Sequence, residues 1–332
     1  MESHRKIILE WLDNGDINNN DIHKVIDLAQ ASPNRSQWFE FLNLLLLWCG
    51  IISIASAIIF FFAYNWNEMG RLLKFGLLEA VMVVSAVIYS RLHHGQASST
   101  AMLTGMALLT GALLALTGQT YQTGADPWQL FAIWALLISP LAIIGRASSL
   151  WLLWLCLLNI SIYLHLHTFR GMFSFLFREE EWLWVFLFCN VLAVIVFEGM
   201  FYLGQHSVKP SWLTSRLAAQ VAMVMTGIVA TWMAMWSIFD SLAWGLLIYV
   251  VWVSVTYTMY RFRIKDLLIL AGAVLSSIVV TISVLIKTIG SSFDGGAFLL
   301  VSLAIIGLSA VGGMWLKKVA KVFSAADQQG EQ

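Results

Sequence analysis

Charge is what this sequence most lacks beside a soluble protein: Asp, Glu, Lys and Arg together make up 11% of its 332 residues, against about 25% in an ordinary soluble domain. A chain so poor in charge cannot clothe itself for water, so its solvent must be mostly lipid. Cysteine is scarce as well. Cys49, Cys156 and Cys189 all fall inside apolar runs, where they pack as small hydrophobes and offer neither a disulfide framework nor a paired-thiol metal pattern. The 19 basic and 19 acidic residues balance, and no basic block exceeds a few residues, so nothing suggests a nucleic-acid surface. HExxH, a P-loop, GxGxxG and a nucleophile elbow are all lacking. No enzymatic activity, cofactor or metal is therefore expected. The opening MESHRKIILEWLDNGD is too polar for a cleaved signal peptide, lacking an uninterrupted apolar core and a small-residue cleavage site.

What is there is hydrophobic: 59% of the residues, gathered into runs near the roughly 20 residues that a helix needs to cross about 30 Å of hydrocarbon. The runs fall at about 42–64, 72–90, 101–117, 128–145, 149–167, 182–203, 217–239, 242–260, 266–287 and 296–316. The fourth and fifth are separated only by Gly145-Arg146-Ala147-Ser148. This pattern predicts an all-α polytopic transmembrane helical bundle of about ten spans. Residues 1–40 read as a cytoplasmic helical leader, a small hairpin with Ile7, Ile8, Trp11 and Leu12 on one face and Ile22, Val25, Ile26 and Ala29 on the next. Residues 41–320 form the bundle, and 321–332 a disordered cytoplasmic tail.

Cytoplasmic loops carry the excess of Lys and Arg. Twelve such residues, from Lys24 to Lys321, fall on one side of the ten spans, against five on the other (Arg71, Lys74, Arg170, Arg178 and Lys287). Both termini are expected inside. The polar stretches after the first and third spans then share the outer face, AYNW and GQTY being a faint echo of each other.

The most patterned stretch is Gly118 to Pro140. Gly118 is expected to end the third helix, since glycine tolerates the left-handed backbone of a helix terminus. Asp126 is expected to cap the fourth, with Pro127 at its first position and Gln129 three residues after the cap. Pro140 is expected to kink it. Asn65, Trp66, Asn67, Glu68 and Arg71 from the first outer loop are candidates to face Gln119, Tyr121, Gln122 and Asp126 from the second. Such a cluster suits either a polar ligand or a latch between helices, and caps and interface aromatics favour the latch.

Glu79 is the candidate intramembrane acid. About eight residues into its helix, it lies roughly 12 Å deep at 1.5 Å per residue. Its insertion as a charged group costs around 2.5–3.5 kcal/mol, which calls either for a functional role or for a protonated carboxyl bonded to Ser53 or Ser56. Glu198, near a span end, is expected to reach water. Ala107, Gly111 and Ala115 form a small-residue packing face. His165 and His167 lie not far in sequence from Glu179, Glu180 and Glu181, but a spacing of two turns the rings to different helix faces, so no metal site is expected.

The leader with Gly15-Asp16-Ile17, the stretch FFFAYNWNEMGRLLKF (Phe60 to Phe75) and GQTYQTGADPWQLFAIWALL (Gly118 to Leu137) resemble the bacterial membrane family catalogued as domain of unknown function 2157, over roughly the first 145 residues. The resemblance implies a multi-pass protein of the bacterial inner membrane and carries no catalytic residues with it. Two functions follow as expectations: a transporter or small-molecule-binding membrane protein, or a non-transporting scaffold or envelope-associated complex subunit. The expected partners are the lipid bilayer, a membrane protein or a second copy, and no nucleic acid.

Overall fold

The computed structural model describes residues 35–64, 69–93, 95–168, 182–206, 216–240, 244–290 and 295–330. Among these residues every regular element is a helix. In order they are α1 (Arg35–Tyr64), α2 (Arg71–Arg91), α3 (Ala97–Tyr121), α4 (Pro127–Gly145) and α5 (Ser148–Thr168), then α6 (Trp182–His206), α7 (Leu217–Asp240), α8 (Gly245–Thr258), α9 (Leu267–Ile289) and α10 (Gly295–Gly330). A π turn, Met259–Arg263, prolongs α8. All ten, with the π turn counted in α8, are long and apolar enough to cross a bilayer, their most apolar stretches averaging a hydropathy of 1.2 to 2.6. Large apolar side chains such as Phe60, Leu136, Phe188 and Leu303 stand exposed on the helix surfaces, as lipid-facing residues do.

The expected ten spans are all present, and the closely spaced fourth and fifth are separate helices. Arg146 makes the break by taking the left-handed conformation at φ 48°, its N–H bonded to the Ala142 carbonyl. Several boundaries differ from the sequence reading. Gly118 does not end α3, which runs on to Tyr121; the left-handed residues are Gln122 at φ 45° and Gly124 at φ 64°. One interior glycine costs only about 1 kcal/mol relative to alanine, too little to stop a 25-residue helix. α1 already begins at Arg35, and α10 is helical to Gly330, where the composition of 321–332 suggested a disordered tail. Val319 is buried and Phe323 packs beside it against Tyr260 and Leu270, so tertiary contact carries the helix beyond the membrane span. The leader's first 34 residues lie outside the described residues.

The chain divides into two compact units, residues 1–112 and 113–332, with the boundary inside α3. In the first, Gly105 of α3 faces α1: a Cβ there would stand 3.1 Å from Ile51 Cγ1. Ala107 and Gly111 are buried and Ala115 is half-buried, in keeping with a small-residue packing face.

In the second unit α4 and α5 form an antiparallel hairpin. The Ser161 hydroxyl donates to the Trp128 carbonyl at 3.0 Å, and Trp154 Nε1–H to Ser139 Oγ at 3.0 Å. α4 continues through Pro140. α7 is the hub of the remaining helices, in contact with α5, α6, α8 and α9, and its buried face is rich in small residues, with Ala218, Ala219, Ala222, Gly227, Ala230 and Ala234 among the larger Met223, Met233 and Ile238. Lipid gives apolar helices no hydrophobic reason to associate, so close backbone approach over small residues supplies the packing energy instead.

Candidate functional site

The residues singled out by the sequence do not assemble into a described site. Asn65, Trp66, Asn67 and Glu68 lie outside the described residues. Gln119, Tyr121 and Gln122 are exposed around the end of α3. Asp126 occupies the N-cap position of α4 with Pro127 first in the helix, but its carboxylate makes no capping bond. Its backbone carbonyl does the work instead, accepting the Gln129 N–H at 3.0 Å. Arg71 is the first residue of α2. Glu79, far from being buried, is exposed on α2 and makes no hydrogen bond or ion pair among the described residues. The expected bonds to Ser53 or Ser56 are not formed. Among the described residues no cluster of metal-ligating side chains occurs.

The polar chemistry lies in the second unit. At the end where α6 stops and α7 starts, Arg216 spans two carboxylates, Nη2 at 2.7 Å from Glu198 Oε1 and Nη1 at 3.1 Å from Asp266 Oδ2. The Tyr260 hydroxyl donates to Glu198 Oε1 at 3.0 Å, and Gln220 Nε2 donates to Asp266 Oδ2 at 2.8 Å. Asp266 also caps α9, its Oδ1 accepting the N–H groups of Leu268 at 3.0 Å and Ile269 at 3.4 Å. The local backbone makes this possible. The π turn widens α8 around Tyr260, and Lys265, at φ 54°, turns the chain sharply into α9. A non-glycine residue in that region and a π turn are both unfavourable locally, and both recur where a side chain must be aimed. Glu198 therefore does not simply reach out to water as expected; Arg216, immediately before α7, claims it. One cluster thus joins α6, α7, α9 and the turn after α8.

Deeper in the same unit, hydroxyls from three helices form a chain. Thr231 Oγ1 and Ser276 Oγ are 2.6 Å apart, and Tyr249 Oη lies 3.0 Å from Ser276 Oγ and 3.3 Å from Ser277 Oγ. Thr231 in turn donates to the Gly227 carbonyl at 2.6 Å. Tyr249 donates to Ser277 and Thr231 to the backbone, so the single Ser276 proton is left to donate to either Thr231 or Tyr249. Beside it lies a cavity of about 320 Å³ between α7, α8 and α9, lined by Met223, Gly227, Thr231, Met235, Trp252 and Ser276 among others. Gly227 lets the Trp252 ring lie against α7, since a Cβ there would stand 3.1 Å from it. The Trp252 indole N–H is buried without a partner among the described residues. Toward the opposite end of α7, Lys287 of α9 donates to the Ile238 carbonyl, a cation placed on the negative end of a helix.

A third polar contact is structural. Asn159 of α5 and Asn190 of α6 exchange amide hydrogen bonds, at 2.8 Å in one direction and 3.3 Å in the other, and Asn190 is 1% exposed.

Sequence reasoning did not single out Arg216, Tyr260, Asp266, Thr231, Tyr249 or Ser276. Arg216 read as a topology charge and the hydroxyls as ordinary span residues. The Asp266 signal was visible, a carboxylate immediately before an apolar run, but nothing in one dimension pairs it with residue 216.

Residues 9–151 match the family described as "Predicted membrane protein (DUF2157)", a stretch that takes in α1 to α4 and the first residues of α5. The Arg216 cluster and the hydroxyl chain lie beyond it. No curated protein and no solved structure matches the chain.

Proposed function

We propose that this membrane protein binds a small apolar molecule bearing one hydrogen-bonding group, in the cavity between α7, α8 and α9, and that it does so without a catalytic step. The supporting observation is the meeting of apolar walls with the hydroxyls of Thr231 and Ser276, which Tyr249 supports from behind, in one space of about 320 Å³. That volume lies at the small end of ligand pockets, which run from about 300 Å³ upward and combine apolar walls with a few placed polar groups. Met223 and Met235 adapt to an irregular guest.

The test uses purified protein in detergent, with quenching of tryptophan fluorescence by a brominated long-chain alcohol and by the matching brominated alkane. The alcohol is expected to bind more tightly to the native protein. In Thr231→Val/Ser276→Ala its affinity is expected to fall about tenfold, equivalent to about 1.4 kcal/mol, while the alkane's is unchanged. Equal affinity of both probes for the native protein would rule the site out.

A non-transporting scaffold draws on a different observation, the exposed carboxyl of Glu79 on α2, unpaired among the described residues, which a cationic group of a partner helix would satisfy. Uptake or efflux by protein reconstituted in liposomes separates the readings, because a scaffold moves no solute.

We place the protein in the bacterial inner membrane with both termini cytoplasmic, on the strength of the Lys and Arg asymmetry. With the three native cysteines replaced, Thr123→Cys is expected to react with an impermeant thiol reagent on intact cells and Gln328→Cys to be protected. The reverse labelling would invert the topology.

A further inference from the structure

We propose that the groove between α8, α9 and α10, together with the basic residues at its end, is a binding site for one anionic phospholipid, with an acyl chain in the groove and the phosphate among the side chains. The groove has a volume of about 290 Å³ and is lined by Tyr257, Leu270, Val274, Thr281, Leu308 and Trp315 among others. Along α9 it runs from Leu270 to Thr281, about 16 Å at 1.5 Å per residue. One leaflet of a bilayer whose hydrocarbon is about 30 Å thick has nearly that depth. Gly312 holds α10 close to α9 at the wall of the groove: a Cβ there would stand only 2.7 Å from Val274 Cγ1.

The two ends of the groove differ. At the Leu270 end it is rimmed by the rings of Tyr257 and Trp315, whose centroids are 5.8 Å apart, aromatic groups of the kind that settle at the level of lipid headgroups. Immediately past that rim stand Arg261 and Arg263 in the π turn, Lys265 in the turn into α9, and Lys317, Lys318 and Lys321 on α10. Tertiary contact draws these three segments together. Val319 is buried with Tyr260, Ile269 and Leu270, and Arg261 Cζ lies 5.4 Å from the centre of the Phe323 ring.

Among the described residues none of the six cations makes an ion pair. Of the acids whose side chains are described at this end, Glu198 and Asp266 are already engaged with Arg216. Among the described residues, the patch therefore keeps its positive charge unmatched, free to meet an anionic headgroup. Topology alone would put Lys and Arg at this end, but it does not require an apolar groove of leaflet depth to open beneath them. Basic pockets between membrane helices are suited to acidic lipid headgroups, and the groove makes the ligand an amphiphile rather than a free anion. The groove and the alcohol-binding cavity both border α8 and α9 and meet only at Ala273, so the site stands or falls independently.

Purified full-length protein, titrated with phosphatidylglycerol or with phosphatidylcholine of the same chains and read by native mass spectrometry, tests the assignment. Phosphatidylglycerol is expected to be retained at least tenfold more tightly. The exposed positions Arg263, Lys265, Lys317, Lys318 and Lys321, changed together to Gln, are expected to abolish that preference without lowering the thermal midpoint. The smaller change Lys318→Glu/Lys321→Glu is expected to reduce the preference in the same direction. Val311→Trp, which fills the groove from its exposed side, is expected to weaken retention of both lipids. Equal retention of the two lipids by the native protein, an undiminished preference in both charge variants, or full displacement of phosphatidylglycerol by millimolar glycerol phosphate would each overturn the site.

Discussion

Replacing Arg216 by leucine is expected to lower the stability of the second unit by about 3–5 kcal/mol, the usual cost of removing one partner from a buried ion pair. The reason is what the change leaves behind. Glu198 and Asp266 have side chains only 17% and 5% exposed, and without the guanidinium two carboxylates would face each other with only Tyr260 and Gln220 as donors from other side chains. Glu198→Gln is expected to cost far less, since the amide oxygen still accepts from Tyr260 and Arg216 while the cation keeps Asp266. Thermal unfolding in detergent, followed by tryptophan fluorescence and circular dichroism, measures both. An unchanged midpoint in Arg216→Leu would mean that water solvates the carboxylates and that the cluster does not hold the helices together.

Asn190→Leu should come next, with an expected loss of about 1–2 kcal/mol, while Asn159→Leu/Asn190→Leu should recover much of it. The asymmetry is that of any buried hydrogen bond: one orphaned partner costs its full desolvation, whereas two apolar side chains of similar size cost little. After the single change Asn159 Oδ1 loses its amide donor, and Asn159 Nδ2 keeps only the Leu155 carbonyl. The expected coupling in a double-mutant cycle is at least about 0.6 kcal/mol, the average for hydrogen bonds between membrane helices. Strict additivity of the two changes would show that the amides act separately and that α5 and α6 are held by packing alone.

These two contacts also show where one-dimensional reading stops. Arg216 and Asp266 are 50 positions apart, and Asn159 and Asn190 are 31 apart; each residue alone looks like a loop charge, a cap or a tolerated polar group. Glu79 shows the limit from the other side. Its depth along α2 was legible, but which way it faces depends on the neighbours of α2, and the structure leaves it exposed. Asp126 falls between the two. Its position as N-cap follows from Asp-Pro chemistry, yet whether the carboxylate or the carbonyl makes the bond is a matter of side-chain rotation.

By itself the sequence determined the solvent and the ten spans found among the described residues. Apolar runs of span length with so little charge have no stable form except helices in lipid, because every backbone group there must find its partner within its own segment. That is why α4 and α5 could be told apart across four residues. Only the tertiary structure decided where the chemistry sits. Helix rotation, the π turn at Met259–Arg263 and the left-handed Lys265 set which polar groups meet. These depend on small residues of α7 fitting against four other helices, a property of surfaces in contact that no stretch of sequence carries alone.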